Sequence, residues 1–122
     1  MNAVNFDAVM LRMLAGAEDK RLLLHACCAP CASYCLTQTA PRTRVTAFFY
    51  NPNLDSAEEY EKRLHELRRL TEATKQADVL DTGYRHEDFA AAAAGFEDAP
   101  EGGARCGRCF RLRLFETARM AK

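Results

Sequence analysis

No stretch of this sequence can cross a membrane as a helix. Its apolar runs last a few residues, as at Leu22-Leu23-Leu24, against the roughly 20 that a bilayer core requires. A basic N-terminal region followed by an apolar core is also missing, so secretion is not expected and the compartment reads as cytoplasmic and reducing. Net charge is absent as well, with 17 Lys and Arg against 17 Asp and Glu. Bulk attraction to a polyanion is thereby excluded, and any nucleic-acid contact must come from local patches. Neither an internal repeat nor a linker is visible. The 122 residues are therefore expected to form a single domain over 1–122, large enough for a real core.

Cysteine, by contrast, is plentiful. Five of the six fall in two clusters: Cys27-Cys28-Ala29-Pro30-Cys31 behind an apolar run, and Cys106-Gly107-Arg108-Cys109 near the C-terminus. Thiols oxidise, and in a chain without a secretion signal such clustering points to metal or redox chemistry rather than to disulfides. Cys35, one helical turn beyond Cys31, reads more simply as a small buried side chain.

Periodicity supplies the scaffold. Phe6, Val9, Met10, Met13 and Leu14 share one helical face, with Asn5 as a cap and Gly16 past the end. Arg21 to His25 reads as a buried strand running into the first cluster, and Pro30 suits the first turn of a following helix. Val45 to Tyr50 is β-branched and aromatic and is stopped by Asn51-Pro52-Asn53. Ser56 with Glu59 has the form of a capping box, opening a helix striped by Ala57, Tyr60, Leu64 and Leu67. Its Glu58–Lys62 and Glu59–Arg63 pairs read as a wet face. Ala77 to Leu80 is a third strand, His86 to Ala94 a helix, and a last helical face runs through Phe110, Leu114, Ala118 and Ala121. Tyr60 and Phe110 are expected in the core.

Strands alternating with helices predict an α/β fold, three-layered and built on a mostly parallel sheet. Ligands of such sheets collect beyond the carboxyl ends of the strands, and all three ends carry chemistry: Cys27 and Cys28, Asn51 to Asp55, and Asp81 to Tyr84. The chain ends at Lys122 inside a helical pattern after only three strands, so a sheet incomplete at its C-terminal side is expected.

Three uses of the cysteines stay open on the residues alone. Thiolates from two loops suit an iron–sulfur cluster, two C-x-x-C knuckles suit structural zinc, and Cys28-Ala29-Pro30-Cys31 at a helix start suits thioredoxin-like thiol–disulfide exchange. Adjacent cysteines point different ways, which serves two neighbouring metal centres more easily than one closed tetrahedron.

Leu23-Leu24-His25-Ala26-Cys27-Cys28-Ala29-Pro30-Cys31, then Phe49-Tyr50-Asn51-Pro52-Asn53 with Glu59-Tyr60, then Gly103 to Leu114, together resemble the QueH family of epoxyqueuosine reductases across nearly the whole chain. The resemblance implies a Rossmann-like, nucleotide-binding-related layer. It also implies the last step of queuosine biosynthesis, in which the epoxide of epoxyqueuosine in tRNA is reduced to an alkene with electrons from a donor still to be identified. A 4Fe–4S cluster on Cys27, Cys28, Cys106 and Cys109 is implied with it, and an additional mononuclear iron near Cys31. Where the family commonly has His-Pro, this chain has Asp55-Ser56, offering a carboxylate in place of an imidazole. The family also continues for a further strand-containing segment that this sequence lacks.

Epoxide removal needs electrons, a site for an oxyanion and a proton. Candidates for the proton are Asp81, Tyr84, His25 and Asp55. Plainer readings stand beside them: His25 as a hydrogen-bonded residue closing its strand, Asp81 as a loop cap, and Tyr84 as a packing ring. Arg105, Arg108, Arg111 and Arg113 surround the second cysteine pair and are placed to meet tRNA phosphates, or to form a solvated helix face. A zinc-stapled RNA-binding module is the leading non-enzymatic alternative.

Overall fold

A computed structural model describes residues 3–122. Three strands, β1 (Arg21–His25), β2 (Arg44–Phe49) and β3 (Ala77–Asp81), lie in the order β1-β2-β3 and pair in parallel. Five helices complete the described chain: α1 (Phe6–Leu14), α2 (Ala29–Thr39), α3 (Ala57–Thr74), α4 (His86–Ala93) and α5 (Ala104–Met120). No helix among the described residues is long and apolar enough to cross a membrane.

The elements start where local chemistry dictates. Asn5 Oδ1 accepts the Ala8 N–H at 3.0 Å and Ser56 Oγ accepts the Glu59 N–H at 3.1 Å, each occupying a donor that a helix start leaves open. Pro30 sits in the first turn of α2, where its missing N–H costs nothing. α3 ends on Lys75 in the left-handed region, φ 56°.

Successive strand residues point to opposite faces, and the two faces differ. Leu22 and Leu24, Val45, Ala47 and Phe49, and Ala77 and Val79 project into one cluster with Ala32 and Leu36 of α2 and Tyr60, Leu64 and Leu67 of α3. Leu36 and Leu67 are fully covered, each contributing on the order of 2 kcal/mol by leaving water. The other face carries Leu23, His25, Thr46, Phe48 and Leu80 by the same alternation, and α5 packs across it on β1. Helices on both sides of the parallel sheet make the expected three layers. Register sets His25 beside Phe48, and Phe49 beside Asp81, so the chemistry-bearing loops leave from one rim.

Two helix faces differ from expectation. On α5, Phe110 and Leu114 are 59% and 62% exposed, and Ala118 and Ala121 are also outside. Its inward side is Cys109, Leu112, Arg113, Glu116 and Thr117. The sheet face beneath is mixed, with a histidine and a threonine among its apolar residues, and a mixed helix face meets it. Phe110 is thus not a core residue, whereas Tyr60 is. On α1 only Leu14 is buried; Val9 and Met10 are half-buried, and Phe6 and Met13 face outward.

Candidate metal centre and adjoining cleft

The first site begins where β1 ends. The Ala26 N–H continues the ladder to the Phe48 carbonyl at 2.9 Å. His25 Nε2 lies 2.7 Å from the Tyr50 carbonyl oxygen; because a carbonyl only accepts, Nε2 carries the proton. Burial holds the His25 pKa below its ordinary value; the Tyr50 carbonyl opposes this shift and nearby Arg113 adds to it. Asn51 Nδ2 donates to the Ala26 carbonyl at 3.0 Å. Two hydrogen bonds therefore strap the loop after β2 to the chain just before Cys27.

Beyond that strap the chain turns into α2 with Cys28 as the residue before its first turn. The sulfurs of Cys27, Cys28 and Cys31 lie within 4.8 Å of one another, with Cys27 Sγ 3.9 Å from Cys28 Sγ. Their environments pull against each other. Cys27 is raised by burial and by Cys28. At Cys28 burial also acts upward, but the Cys31 amide and thiol, the Cys27 thiol and the Arg63 charge outweigh it, and the net shift is downward. The Cys28 side chain closes no capping hydrogen bond, so the amide acts as a nearby dipole. Cys31, exposed, is pushed up to about 11 by the Cys28 thiol and by the charge of Cys27 and Cys28. Three thiols that resist ionising together are relieved by a cation, and soft sulfur donors select zinc, copper(I) or iron–sulfur centres. Cys35 is half-buried on α2 and outside this group.

Cys106 and Cys109 do not join that nest within the same distance. They line a cleft of about 580 Å³ together with Asn53, Asp55, His86, Phe89 and Arg113, within the range of small-ligand sites. Cys109 is buried, and Cys106 Sγ accepts the Gly102 N–H at 3.3 Å. Gly103 is needed where α5 starts, because a Cβ there would sit 2.9 Å from the Pro100 carbonyl oxygen. Arg113 links the two sites: it lines the cleft, and its charge reaches both Cys27 and His25.

The four arginines divide. Arg105 and Arg113 line the cleft, although Arg105 also donates to the Glu97 carbonyl at 2.8 Å. Arg108 donates to the Ala92 carbonyl and lies 4.8 Å over the Phe96 ring, pinning α5 to the end of α4. With Arg111 it borders a different groove, next to Phe115. Among the proton candidates, Asp81 Oδ1 accepts from the Tyr60 hydroxyl and from the Gly83 N–H, the latter at 2.9 Å, and the Tyr84 hydroxyl donates to the Leu54 carbonyl. These bonds hold the rim loops in place. Asp55 stands exposed at the lip of the cleft.

Two residues escaped the sequence reading. His86 lines the cleft just past the carboxyl end of β3, and the same rule that drew attention to Asp81 and Tyr84 reaches it two residues later. Arg63 was absorbed into its i,i+4 pair with Glu59, which the structure shows at 2.7 Å, yet its charge also bears on Cys28 and Cys27. Its position three residues after Tyr60, on the helix facing the cysteine loop, was the available signal.

Residues 22–122 match the sequence family described as epoxyqueuosine reductase QueH. Relatives that carry that description include one from Streptococcus pyogenes serotype M1, 33% identical over 129 residues, covering 97% of this chain and 50% of the relative. Others come from Histophilus somni, 37% identical over 102 residues (83% and 42%), and Acinetobacter baylyi, 38% identical over 99 residues (80% and 44%). The chain thus spans about half the length of the curated relatives it matches. With a family match across residues 22–122 and the cysteine nest, strap and second cysteine pair all inside it, this chain belongs to the QueH family of epoxyqueuosine reductases.

Proposed function

We propose that this chain reduces the epoxide of epoxyqueuosine in tRNA to the alkene of queuosine, the last step of queuosine biosynthesis, in the cytoplasm. The observation that carries the reading is the nest of three thiols within 4.8 Å at the rim of the parallel sheet, inside a sequence of this family. Cys27, Cys28, Cys106 and Cys109 would hold a 4Fe–4S cluster, and Cys31 would serve an additional mononuclear iron. A single ion needs all its donors in one tight shell, whereas a cluster several atoms wide accepts thiolates from separate loops. The two groups of cysteines, bridged by Arg113, suit the second case. When bound, the cluster would pass the two electrons one at a time from an external donor, and the neighbouring iron would supply a Lewis-acidic site.

The chain's own residues do the rest. His25 and Asn51 fix the cysteine loop to β2, so the ligands meet a metal with little further ordering. Tyr60 with Asp81, and Tyr84 with the Leu54 carbonyl, hold the loops on either side. Arg105 and Arg113 present positive charge at the cleft for tRNA phosphates, and Asp55 at its lip is placed to relay a proton to the departing oxygen.

Iron and sulfide analysis of anaerobically purified protein, followed by assay on epoxyqueuosine-containing tRNA, tests the reading. A brown protein with iron and sulfide that converts the nucleoside is expected. A colourless protein with stoichiometric zinc would sink it and leave the zinc-stapled RNA-binding module, and metal-free disulfide exchange abolished by Cys28→Ser would leave the thioredoxin-like alternative.

A further inference from the structure

We propose that the wall of the cleft formed by His86, Asn53 and Asp55 is a hydrogen-bond-acceptor site that recognises the hydroxyl- and amine-bearing arm of the modified base. The inference rests on the reductase reading for the identity of its ligand, and on geometry for its location. His86 is half-buried, its ring tilted against Tyr84 at 5.8 Å and Phe89 at 5.6 Å. Its Nδ1 lies 2.8 Å from the Pro52 carbonyl oxygen. A carbonyl cannot donate, so the proton sits on Nδ1, and Nε2 of the neutral ring is left as an acceptor without a partner. The Pro52 bond and the two flanking rings fix the direction of that lone pair.

The same wall holds two further acceptors. Asn53 lines the cleft, and its Oδ1 is sealed from solvent without a hydrogen-bond partner, a costly state that a rotation of the amide toward the donor of a bound ligand relieves. Asp55 contributes its carboxylate at the exposed lip. Converging acceptors disfavour an acceptor-rich ligand and select one that carries several donors. Epoxyqueuosine offers them on the arm that bears the epoxide: a secondary amine and two adjacent hydroxyls. The opposite charge, on Arg105 and Arg113, lines the same cleft and is available for the phosphates. Phe89 and Phe110 supply apolar surface for a ring. Donors and acceptors are thus sorted to different residues within one space of about 580 Å³.

The test compares two anticodon stem-loop RNAs, one with epoxyqueuosine at the wobble position and one with guanosine, which lacks the arm. Dissociation constants are measured on the chain itself, without turnover. The unaltered chain is expected to prefer the modified RNA. His86→Asn keeps an amide near the Nδ1 position and so retains the Pro52 bond, but removes Nε2; it should cut the preference by about three- to tenfold, the worth of one hydrogen bond. His86→Gln, which places its amide near the Nε2 position, should restore much of it. Asp55→Asn at the exposed lip should weaken the preference by a similar factor. The inference is overturned if the unaltered chain shows no preference, or if His86→Asn and Asp55→Asn both keep it in full. Loss of preference in a protein without iron would sustain the recognition site and sink the reductase reading. An iron-loaded, active protein whose preference ignores both substitutions would do the reverse.

Discussion

Removing the hydroxyl of Tyr60 gives a test of the fold that separates energetic terms by pH. Tyr60 is fully covered, packed edge-on against Phe49 at 4.9 Å and tilted on Tyr84 at 5.2 Å, and its hydroxyl donates to Asp81. Tyr60→Phe keeps the ring and removes one bond to a carboxylate, worth about 1.5–3 kcal/mol. Asp81 retains the Gly83 N–H, so the carboxylate is not orphaned and a value near 2 kcal/mol is expected at pH 7. For a chain of this size that corresponds to roughly 6–10 °C in Tm. Alkaline pH then changes the comparison. Burial, reinforced by Asp81, raises the Tyr60 pKa in the folded state, and burial with Asp88 does the same for Tyr50. The folded chain therefore keeps on each of these tyrosines a proton that the unfolded chain releases near pH 10, and their share of stability falls as pH rises above that point. Each tyrosine contributes a slope of about 1.4 kcal/mol per pH unit. The variant loses the Tyr60 contribution and keeps the others, so the two stability curves converge and the gap of about 2 kcal/mol closes near pH 11.5. Urea unfolding followed by circular dichroism from pH 7 to 11.5 measures both curves. A gap that stays constant through pH 11 would refute the argument, since it would mean that Tyr60 ionises as freely in the folded chain as in the unfolded one.

Other perturbations separate residues that look alike in the sequence. Cys31→Ser should lower the stoichiometry of bound zinc or iron, and Cys35→Ser should leave it unchanged, because only Cys31 has its sulfur in the nest; equal losses would refute the assignment. Arg113→Ala should weaken binding of an RNA stem-loop and reduce the magnitude of its log–log salt slope by about one. Arg108→Ala should instead lower stability through the lost Ala92 and Phe96 contacts with little change in that slope. Gly103→Ala should destabilise by about 1–3 kcal/mol, the range for overpacking, because the Pro100 carbonyl cannot yield without moving the start of α5; denaturant midpoints measure this. Leu114→Gln, at a position 62% exposed, should change stability by less than about 0.5 kcal/mol, whereas Leu36→Ala should cost about 2–5 kcal/mol.

The sheet was legible because its signals are local. Arg21 to His25 is recovered to the residue, and the stop at Asn51-Pro52-Asn53 places the end of β2 within one position. Capping at Ser56 and the stripe through Tyr60, Leu64 and Leu67 place α3 and the face that it buries. The inward side of α5 was not legible. Its apolar stripe is genuine, but periodicity records that a helix has two sides and says nothing of what lies beneath either one. The surface under α5 is set by the alternate residues of β1, and a strand read only as buried does not say which of its residues meet that helix. The same limit hid His86 and Arg63: each matters through a neighbour far away in sequence, Pro52 for one and Cys28 for the other.

The arrangement at the rim gives residues 50–54, between the two cysteine clusters in sequence, a part in positioning both sites. A thiol nest alone requires only Cys27, Cys28 and Cys31, and a short loop could present them anywhere. Here the carbonyl just before the nest is held by Asn51, and the strand residue before that by the Tyr50 carbonyl. The loop so held continues through Pro52, whose carbonyl sets the tautomer of His86, and through Leu54, which receives the Tyr84 hydroxyl. Four side chains from three strand ends thus bond to or from four of the five residues 50–54. Since each bond fixes a direction, the position of the thiols and the position of the cleft wall are set by one short segment. A change in residues 50–54 therefore disturbs both sites together, while a change in α5 disturbs Cys106 and Cys109 without moving the nest. Comparing metal content with RNA preference in Asn51→Ala and Gly103→Ala distinguishes these cases: the first should lower both, the second should spare the thiol nest as a zinc site.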